Sequence, residues 1–181
     1  MKKFAKVSLA ASVAGVTLFG AVSAFAASSA ILITGKVEDA ICNIQATGNA
    51  SGNSLVLPTV FKTQLNTAGA TAGATGFQFA LSGCPATGSV SAYFESSNVD
   101  PATGNLLNRA VAGTAAENVQ VQVLNADGEV IDLNTNTNNV PVALDASGNA
   151  SLSYSAQYVA QGAAAGAGDV DTALVYTVRY Q

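Results

Sequence analysis

Short segments in which apolar and polar side chains alternate recur along the chain. Residues 118–123 read Asn-Val-Gln-Val-Gln-Val, and similar alternation occurs in 76–81, 89–94, 151–159 and 173–181. A period of two residues is that of a β-strand whose two faces meet different surroundings, whereas an amphipathic helix has a period of 3.6. The pattern therefore predicts an all-β fold, which we interpret as a β-sandwich of immunoglobulin type.

Residues that favour turns separate these segments. Asp127-Gly128 lies between apolar segments 118–123 and 130–133, and this dipeptide is typical of a β-hairpin. A further strand is predicted within 54–60, where Pro58 marks an edge or an end. The segment 67–75, rich in Ala, Gly and Thr, fits either a short helix or a loop. We expect about seven to nine short strands in one domain.

The first 26 residues have the organisation of a secretory signal peptide. Lysines within 2–6 precede the apolar run 7–22, and Ala24-Phe25-Ala26 provides small residues at the cleavage site. A retained membrane anchor is the alternative, but it needs about 20 apolar residues, and this run is short and rich in small residues. We therefore expect cleavage after Ala26.

The composition argues against catalysis, metal binding and nucleic-acid binding. The chain has 7 Lys/Arg, 11 Asp/Glu, 2 Cys and no His, so removal of the three lysines of the signal peptide leaves a net charge of 4 − 11 = −7. Without imidazole there is no Ser-His-Asp or Cys-His system, and two cysteines cannot form a Cys₄ site. An acidic chain without a basic patch is a poor partner for nucleic acid. We expect no catalytic residues, no metal site and no cofactor.

Cys42 and Cys84 form an even pair in a chain directed to an oxidising compartment. Such a pair predicts a disulfide, and no C-x-x-C motif indicates a redox function. The bond would be structural.

The two ends of the mature chain raise a question of strand pairing. The strand predicted in 173–181 reaches Gln181, and 27–34 is another β-prone segment. Proteins normally cover an unpaired strand edge that lies beside apolar side chains, because such an edge promotes aggregation. Segment 27–34 could pair with the last strand of its own chain, or it could complete the sheet of another molecule. The alternation pattern leaves both arrangements open.

Five segments occur along the mature chain in an order that is informative when taken together. They are Gly35 to Cys42, Gly76 to Cys84, Val119 to Gly128, Tyr154 to Tyr158, and Tyr176 to Gln181. In addition, Tyr180 is next to last and Gly168 is fourteenth from the end. Together with the signal peptide and the early cysteine pair, these features resemble the major pilins of chaperone–usher fimbriae, such as the rod subunit of type 1 fimbriae.

The resemblance implies a specific fold and mode of assembly. The fold would be an incomplete immunoglobulin-like β-sandwich that lacks its last strand and exposes an apolar groove. A periplasmic chaperone would fill the groove during export, and the N-terminal extension of the next subunit would replace it by donor-strand exchange. The donor segment would be 27–34, with inserted side chains Ile31 and Ile33 and a small residue, Ser29. The residues implied for the acceptor groove and the chaperone-binding strand are Gly168, Leu174, Tyr176, Val178 and Tyr180.

The resemblance also implies a function. The chain would be a structural subunit of an adhesive fimbria on the bacterial surface, assembled through the periplasm. Its partners would be copies of itself, other pilus subunits, a periplasmic chaperone and an outer-membrane usher. The expected organisation is a signal peptide at 1–26, a donor strand at 27–34 and a pilin domain at 35–181. A minor or adaptor pilin, or a sugar-binding adhesin subunit, is the alternative, although the chain has no Trp and no room for a second lectin domain.

Overall fold

β-Strands make up most of the regular structure, and their bounds follow the alternating segments of the sequence. The computed structural model describes residues 42–48, 50–51 and 53–181. The strands in these ranges are β1 (Asn43–Gly48), β2 (Ala50–Ser51), β3 (Ser54–Leu55), β4 (Thr71–Ser82), β5 (Ser89–Phe94), β6 (Leu106–Leu107), β7 (Val119–Leu124), β8 (Val142–Ala143), β9 (Ala150–Ala160) and β10 (Tyr176–Tyr180). Short 3₁₀ turns occur at Lys62–Leu65 and Ser96–Asn98. No apolar helix of membrane-spanning length is found in the described ranges.

The strands form two sheets and a small ribbon. One sheet has five strands in the order β1-β4-β9-β7-β6, and the other has three in the order β10-β5-β8. The ribbon pairs β2 with β3. All of these pairings are antiparallel. The prediction of an all-β fold built from short strands is therefore confirmed.

Alternate side chains of the two sheets meet in one main core. Alternate residues in parts of β4, β7 and β9 are buried in this core, as the period of a strand requires: Phe77, Phe79 and Leu81, Val121 and Val123, and Leu152, Tyr154 and Ala156. Opposite them, Val90, Ala92 and Phe94 of β5 have at most 1% of their surface exposed. A second, smaller cluster forms around Leu65 and Ala160. The main core joins the two sheets and includes the residues that line the groove described below.

Two segments differ from the sequence-based prediction, and in a third the structure decides between the two predicted alternatives. Segment 67–75 was compatible with a helix or a loop, but β4 already begins at Thr71. The strand predicted within 54–60 is limited to Ser54–Leu55. Pro58, which has no N–H, follows shortly afterwards. The expected strand 130–133 forms only isolated bridges, because the carbonyl and carboxylate of Asp132 accept hydrogen bonds from the following loop and turn the chain.

A disulfide joins Cys42 to Cys84, as the sequence predicted, with 4.6 Å between the two Cα atoms. Both residues are buried. Cys42 precedes β1 and Cys84 follows β4, and these strands pair up to Asn43 and Ser82. The bond therefore fastens the edge strand β1 to its neighbour β4.

Removing the disulfide should lower the stability of the subunit substantially. The two cysteines are 42 residues apart in sequence, and closing a loop of that length stabilises a fold by about 4 kcal/mol in the chain-entropy model. We expect the Cys42→Ser, Cys84→Ser double variant to lose about that much free energy of unfolding in urea titrations. A loss below about 1 kcal/mol would show that the bond adds little to stability.

Candidate functional site: an apolar groove beside an open strand edge

An apolar groove of about 600 Å³ lies between the two sheets. Its floor is the inner face of the five-stranded sheet, where β4 contributes Phe77 and Phe79 and β7 contributes Val121 and Val123. Ala156 of β9 lies between them, because β9 is the strand between β4 and β7. Its single methyl group leaves space above the middle of the floor.

Two segments form the sides of the groove. On one side are Leu55 and Leu57, within and just after β3, and on the other is the segment 172–176, which leads into β10. None of the described residues that line the groove carries a charge. An uncharged apolar slot bordered by a strand is suited to an extended peptide that adds to a sheet.

The hydrogen bonds between β10 and β5 determine which backbone groups of β10 are already in use. Ser89 and Gln181 exchange both of their backbone hydrogen bonds, each 2.9 Å long. At the other end, the N–H of Glu95 donates to the carbonyl of Val175 at 2.9 Å. Because hydrogen-bonded and non-hydrogen-bonded pairs alternate in an antiparallel ladder, the odd-numbered residues of β10 are the ones that face β5.

The even-numbered residues of β10 therefore direct their N–H and C=O groups away from β5. These residues are Tyr176, Val178 and Tyr180, which lie opposite Phe94, Ala92 and Val90. Within residues 42–48, 50–51 and 53–181, no strand pairs with β10 on this side. β10 thus has an open hydrogen-bonding edge next to the apolar groove.

The side chains predicted for the acceptor strand fall into different environments. Leu174 and Tyr176 line the groove, while Val178 packs against the main core outside it. The Tyr176 ring stacks on Phe79 with 4.0 Å between ring centroids. Tyr180 is 46% exposed. Partial burial raises the pKa of its hydroxyl, and a hydrogen bond with the backbone of Cys42 opposes this rise.

Gly168 lies outside the open edge, in the loop that precedes β10. A Cβ atom at this position would lie 2.5 Å from the backbone nitrogen of Ala116 and from the carbonyl oxygen of Thr114. Only glycine permits this close approach, so the backbone of 114–116 explains why position 168 is a glycine. The predicted donor residues Ser29, Ile31 and Ile33 fall outside the described residues.

Two asparagines hold the side of the groove that leads into β10. Buried Asn98 donates hydrogen bonds to the hydroxyl of Thr172 at 2.7 Å and to the carbonyl of Ala173 at 3.2 Å. The Asn108 side chain donates to the carbonyl of Asp169 at 2.9 Å and accepts from the N–H of Asp171 at 3.1 Å. These bonds fix the segment without filling the groove.

Tyr154 of β9 packs beside the floor residues, on the same inner face of the five-stranded sheet. Tyr154 lies 5.7 Å from Phe77, 5.9 Å from Phe79 and 5.2 Å from Phe94 between ring centroids. Burial raises the pKa of the Tyr154 hydroxyl, and a hydrogen bond with the backbone of Ala92 lowers it by a smaller amount. The neutral hydroxyl donates to the side-chain oxygen of Asn139 at 3.0 Å.

In the described part of the chain, no group of three or more His, Cys, Asp or Glu residues could hold a metal.

Sequence reasoning identified one side of the groove but not its floor. Alternation in 76–81 and 118–123 marks Phe77, Phe79 and Val121 as residues of one face, yet the period does not indicate which part of that face is left uncovered. Asn98 and Asn108 gave no signal, because isolated asparagines are also ordinary loop residues.

Fimbrial proteins are similar to this chain over most of its length. The model of the family described as FimA, type-1 fimbrial protein, A, matches residues 57–181. The major fimbrial subunit SMF-1 of Stenotrophomonas maltophilia is 42% identical over 165 residues, which cover 87% of this chain and 95% of that protein. The F17 fimbrial protein of Escherichia coli is 42% identical over 160 residues, covering 83% and 86% respectively.

Solved structures of pilus subunits share the fold. A subunit from a chaperone–usher pilus structure that addresses rod uncoiling superposes with a TM-score of 0.58 at 22% identity, covering 86% of this chain and 96% of that one. The P pilus rod subunit PapA gives a TM-score of 0.59 at 20% identity, covering 77% and 99%. The predicted fold class, an incomplete immunoglobulin-like sandwich of the pilin type, is confirmed.

Truncating Tyr176 should destabilise the subunit because it removes the stacking contact with Phe79. We expect Tyr176→Ala to lower the free energy of unfolding by about 2 to 3 kcal/mol, measured by urea titration. Thr177→Ala is the matched control, because Thr177 is exposed on the opposite face of the same strand, and its effect should stay within about 0.5 kcal/mol. Equal losses for the two variants would contradict a structural function of the stack.

Proposed function

The chain belongs to the type-1 fimbrial protein family of fimbrial structural subunits, and from this membership we propose that it polymerises by donor-strand exchange. Segment 27–34 of one subunit lies along the open edge of β10 in the preceding subunit. The observation that carries the proposal is the combination of an open edge of β10, which no strand among the described residues pairs, and an apolar groove on the same side of β10.

The backbone groups of the acceptor support the proposal. Tyr176, Val178 and Tyr180 each direct an N–H and a C=O toward the open edge, following the ladder register with β5. A strand of eight residues, such as 27–34, spans about 26 Å and is long enough to pair along all of β10. Each hydrogen bond adds only about 1 kcal/mol, so the ladder depends on several forming together.

The side chains of the donor segment complement the groove. Ile31 and Ile33 are two residues apart and therefore share one face of an extended strand. Burying each isoleucine contributes about 2 to 3 kcal/mol. Because the groove lining formed by the described residues is uncharged, association depends little on salt concentration. Ser29 extends the same face with a small side chain.

The proposal includes a pathway of export and assembly. Segment 1–26 is removed as a signal peptide, and the pilin domain comprises 35–181. An exposed apolar groove beside an open edge would promote aggregation before assembly. A periplasmic chaperone therefore covers it until, at an outer-membrane usher, the donor segment of another subunit takes its place. We assign the chain to the major subunits, rather than to minor or adaptor subunits, because the similar proteins include a major fimbrial subunit.

Deleting 27–34 should abolish growth without destroying the groove. The truncated chain lacks a donor strand, so it cannot attach to a preceding subunit, but it still binds the chaperone. It should also accept the donor strand of a full-length chain, so it can occupy only the first position of a fibre. Polymerisation of the truncated chain is measured as fibre length in electron micrographs and as SDS-resistant polymer on gels. A truncated chain that polymerises like the full chain would refute donor-strand exchange.

Charged substitutions in the donor segment should act according to their face. Ile31→Asp and Ile33→Asp each place a carboxylate in an apolar groove, which is strongly unfavourable, and fibre yield should fall by at least about tenfold. Leu32→Asp is the matched control, because residue 32 points to the opposite face of the strand. Its fibre yield should remain close to that of the unmodified chain. Equal losses at 31, 32 and 33 would contradict the assigned orientation.

A further inference from the structure

On the side away from β10, the three-stranded sheet is closed partly by side chains and not only by a strand. β5 uses its odd-numbered residues to bind β10, so its even-numbered residues direct their backbone groups toward the opposite side. β8 lies on that side but has only two residues, which pair with Ser89 and Val90. Ala92 and Phe94 of β5 therefore extend beyond the end of β8.

Asn136 occupies the position beside Phe94 that a neighbouring strand would take. Its side-chain oxygen accepts the N–H of Phe94 at 2.8 Å, and its side-chain nitrogen donates to the carbonyl of Phe94 at 2.9 Å. A primary amide offers the same kinds of donor and acceptor as a peptide group. Asn136 thus satisfies both backbone groups of Phe94 without presenting a strand of its own.

Asn139 performs the corresponding task at Ala92. Its side-chain nitrogen donates to the carbonyl of Ala92, and its side-chain oxygen accepts the Tyr154 hydroxyl at 3.0 Å. Pro141 follows before β8 and has no N–H to offer to a further strand. A two-residue edge strand and a proline both hinder strand addition. The two side-chain amides add to this effect because they occupy backbone groups of β5 that an added strand would need.

We propose that Asn136 and Asn139 form an edge block: they prevent a strand from adding to the far side of β5, so that strands add to this sheet only at β10. The inference rests on the proposed function, because it presupposes that subunits associate by adding strands to this sheet. A sheet with two open edges can accept a strand on each side, and the polymer can then branch or associate laterally. A sheet with one open edge accepts a single donor strand and grows in a line.

The same loop contains an asparagine that supplies a matched control. The Asn138 side chain is exposed and donates to the carbonyl of Val130 at 2.9 Å, so its hydrogen bond closes the loop and does not involve β5. Asn136 and Asn138 both have a positive φ, 58° and 68° respectively. Glycine adopts such angles without strain, so Asn136→Gly and Asn138→Gly both preserve the path of the loop.

The test compares fibres of the full-length chain carrying Asn136→Gly or Asn138→Gly. We expect Asn136→Gly to produce bundled or branched fibres in electron micrographs and amide hydrogen exchange at Phe94 that is about fivefold faster or more. Asn138→Gly should give single, unbranched fibres and unchanged exchange at Phe94. Single, unbranched Asn136→Gly fibres with faster exchange at Phe94 would overturn the edge block, because an open edge would then recruit no strand.

A second variant covers the case in which Asn136→Gly does not fold. Asn139→Ser removes the donor to the Ala92 carbonyl with a short, neutral side chain, and it should cause the same lateral association. Single, unbranched fibres of Asn139→Ser would likewise overturn the proposal. The two proposals fail in different experiments. If donor-strand exchange is wrong, the chain without 27–34 and with no other change still forms fibres. If the edge block is wrong, Asn136→Gly and Asn138→Gly fibres have the same shape.

Discussion

Backbone hydrogen-bonding groups at a strand edge require partners, and this requirement governs β10. The N–H and C=O groups of Tyr176, Val178 and Tyr180 face away from β5, and no strand in the described residues pairs with them. The same side of β10 borders the apolar floor formed by Phe77 and Phe79. One extended segment with alternating apolar side chains would form hydrogen bonds with the backbone of β10 and also cover the apolar floor. The open edge and the uncovered floor therefore both favour the addition of one strand.

An acceptor of this kind must keep its shape although its core is incomplete. The disulfide fastens β1 to the sheet that forms the floor, and the Phe79–Tyr176 stack joins that floor to β10. Asn98 and Asn108 hold the segment that leads into β10 through side-chain hydrogen bonds. Polar contacts therefore fix the border of the groove, while its interior remains apolar and available.

The sequence predicted those features that depend on local period and composition. The strand 89–94 has the predicted bounds, and the disulfide joins the predicted cysteines. The uncovered floor was not predictable, because alternation marks an inward face without showing what lies above it. Asn136 was not predictable as an edge residue, because its contact with Phe94 joins distant parts of the chain and its type is typical of turns. The donor assignment of 27–34 stays a prediction.

Amide hydrogen exchange along β10 tests the central claim most directly. The chain without 27–34 and the assembled fibre of the full-length chain would be compared residue by residue. The account predicts that the amides of Tyr176, Val178 and Tyr180 exchange rapidly in the truncated subunit and become protected in the fibre. The amides of Thr177 and Arg179, which face β5, should be protected in both. Unchanged exchange at the even-numbered positions on assembly would contradict the claim that an added strand completes this edge.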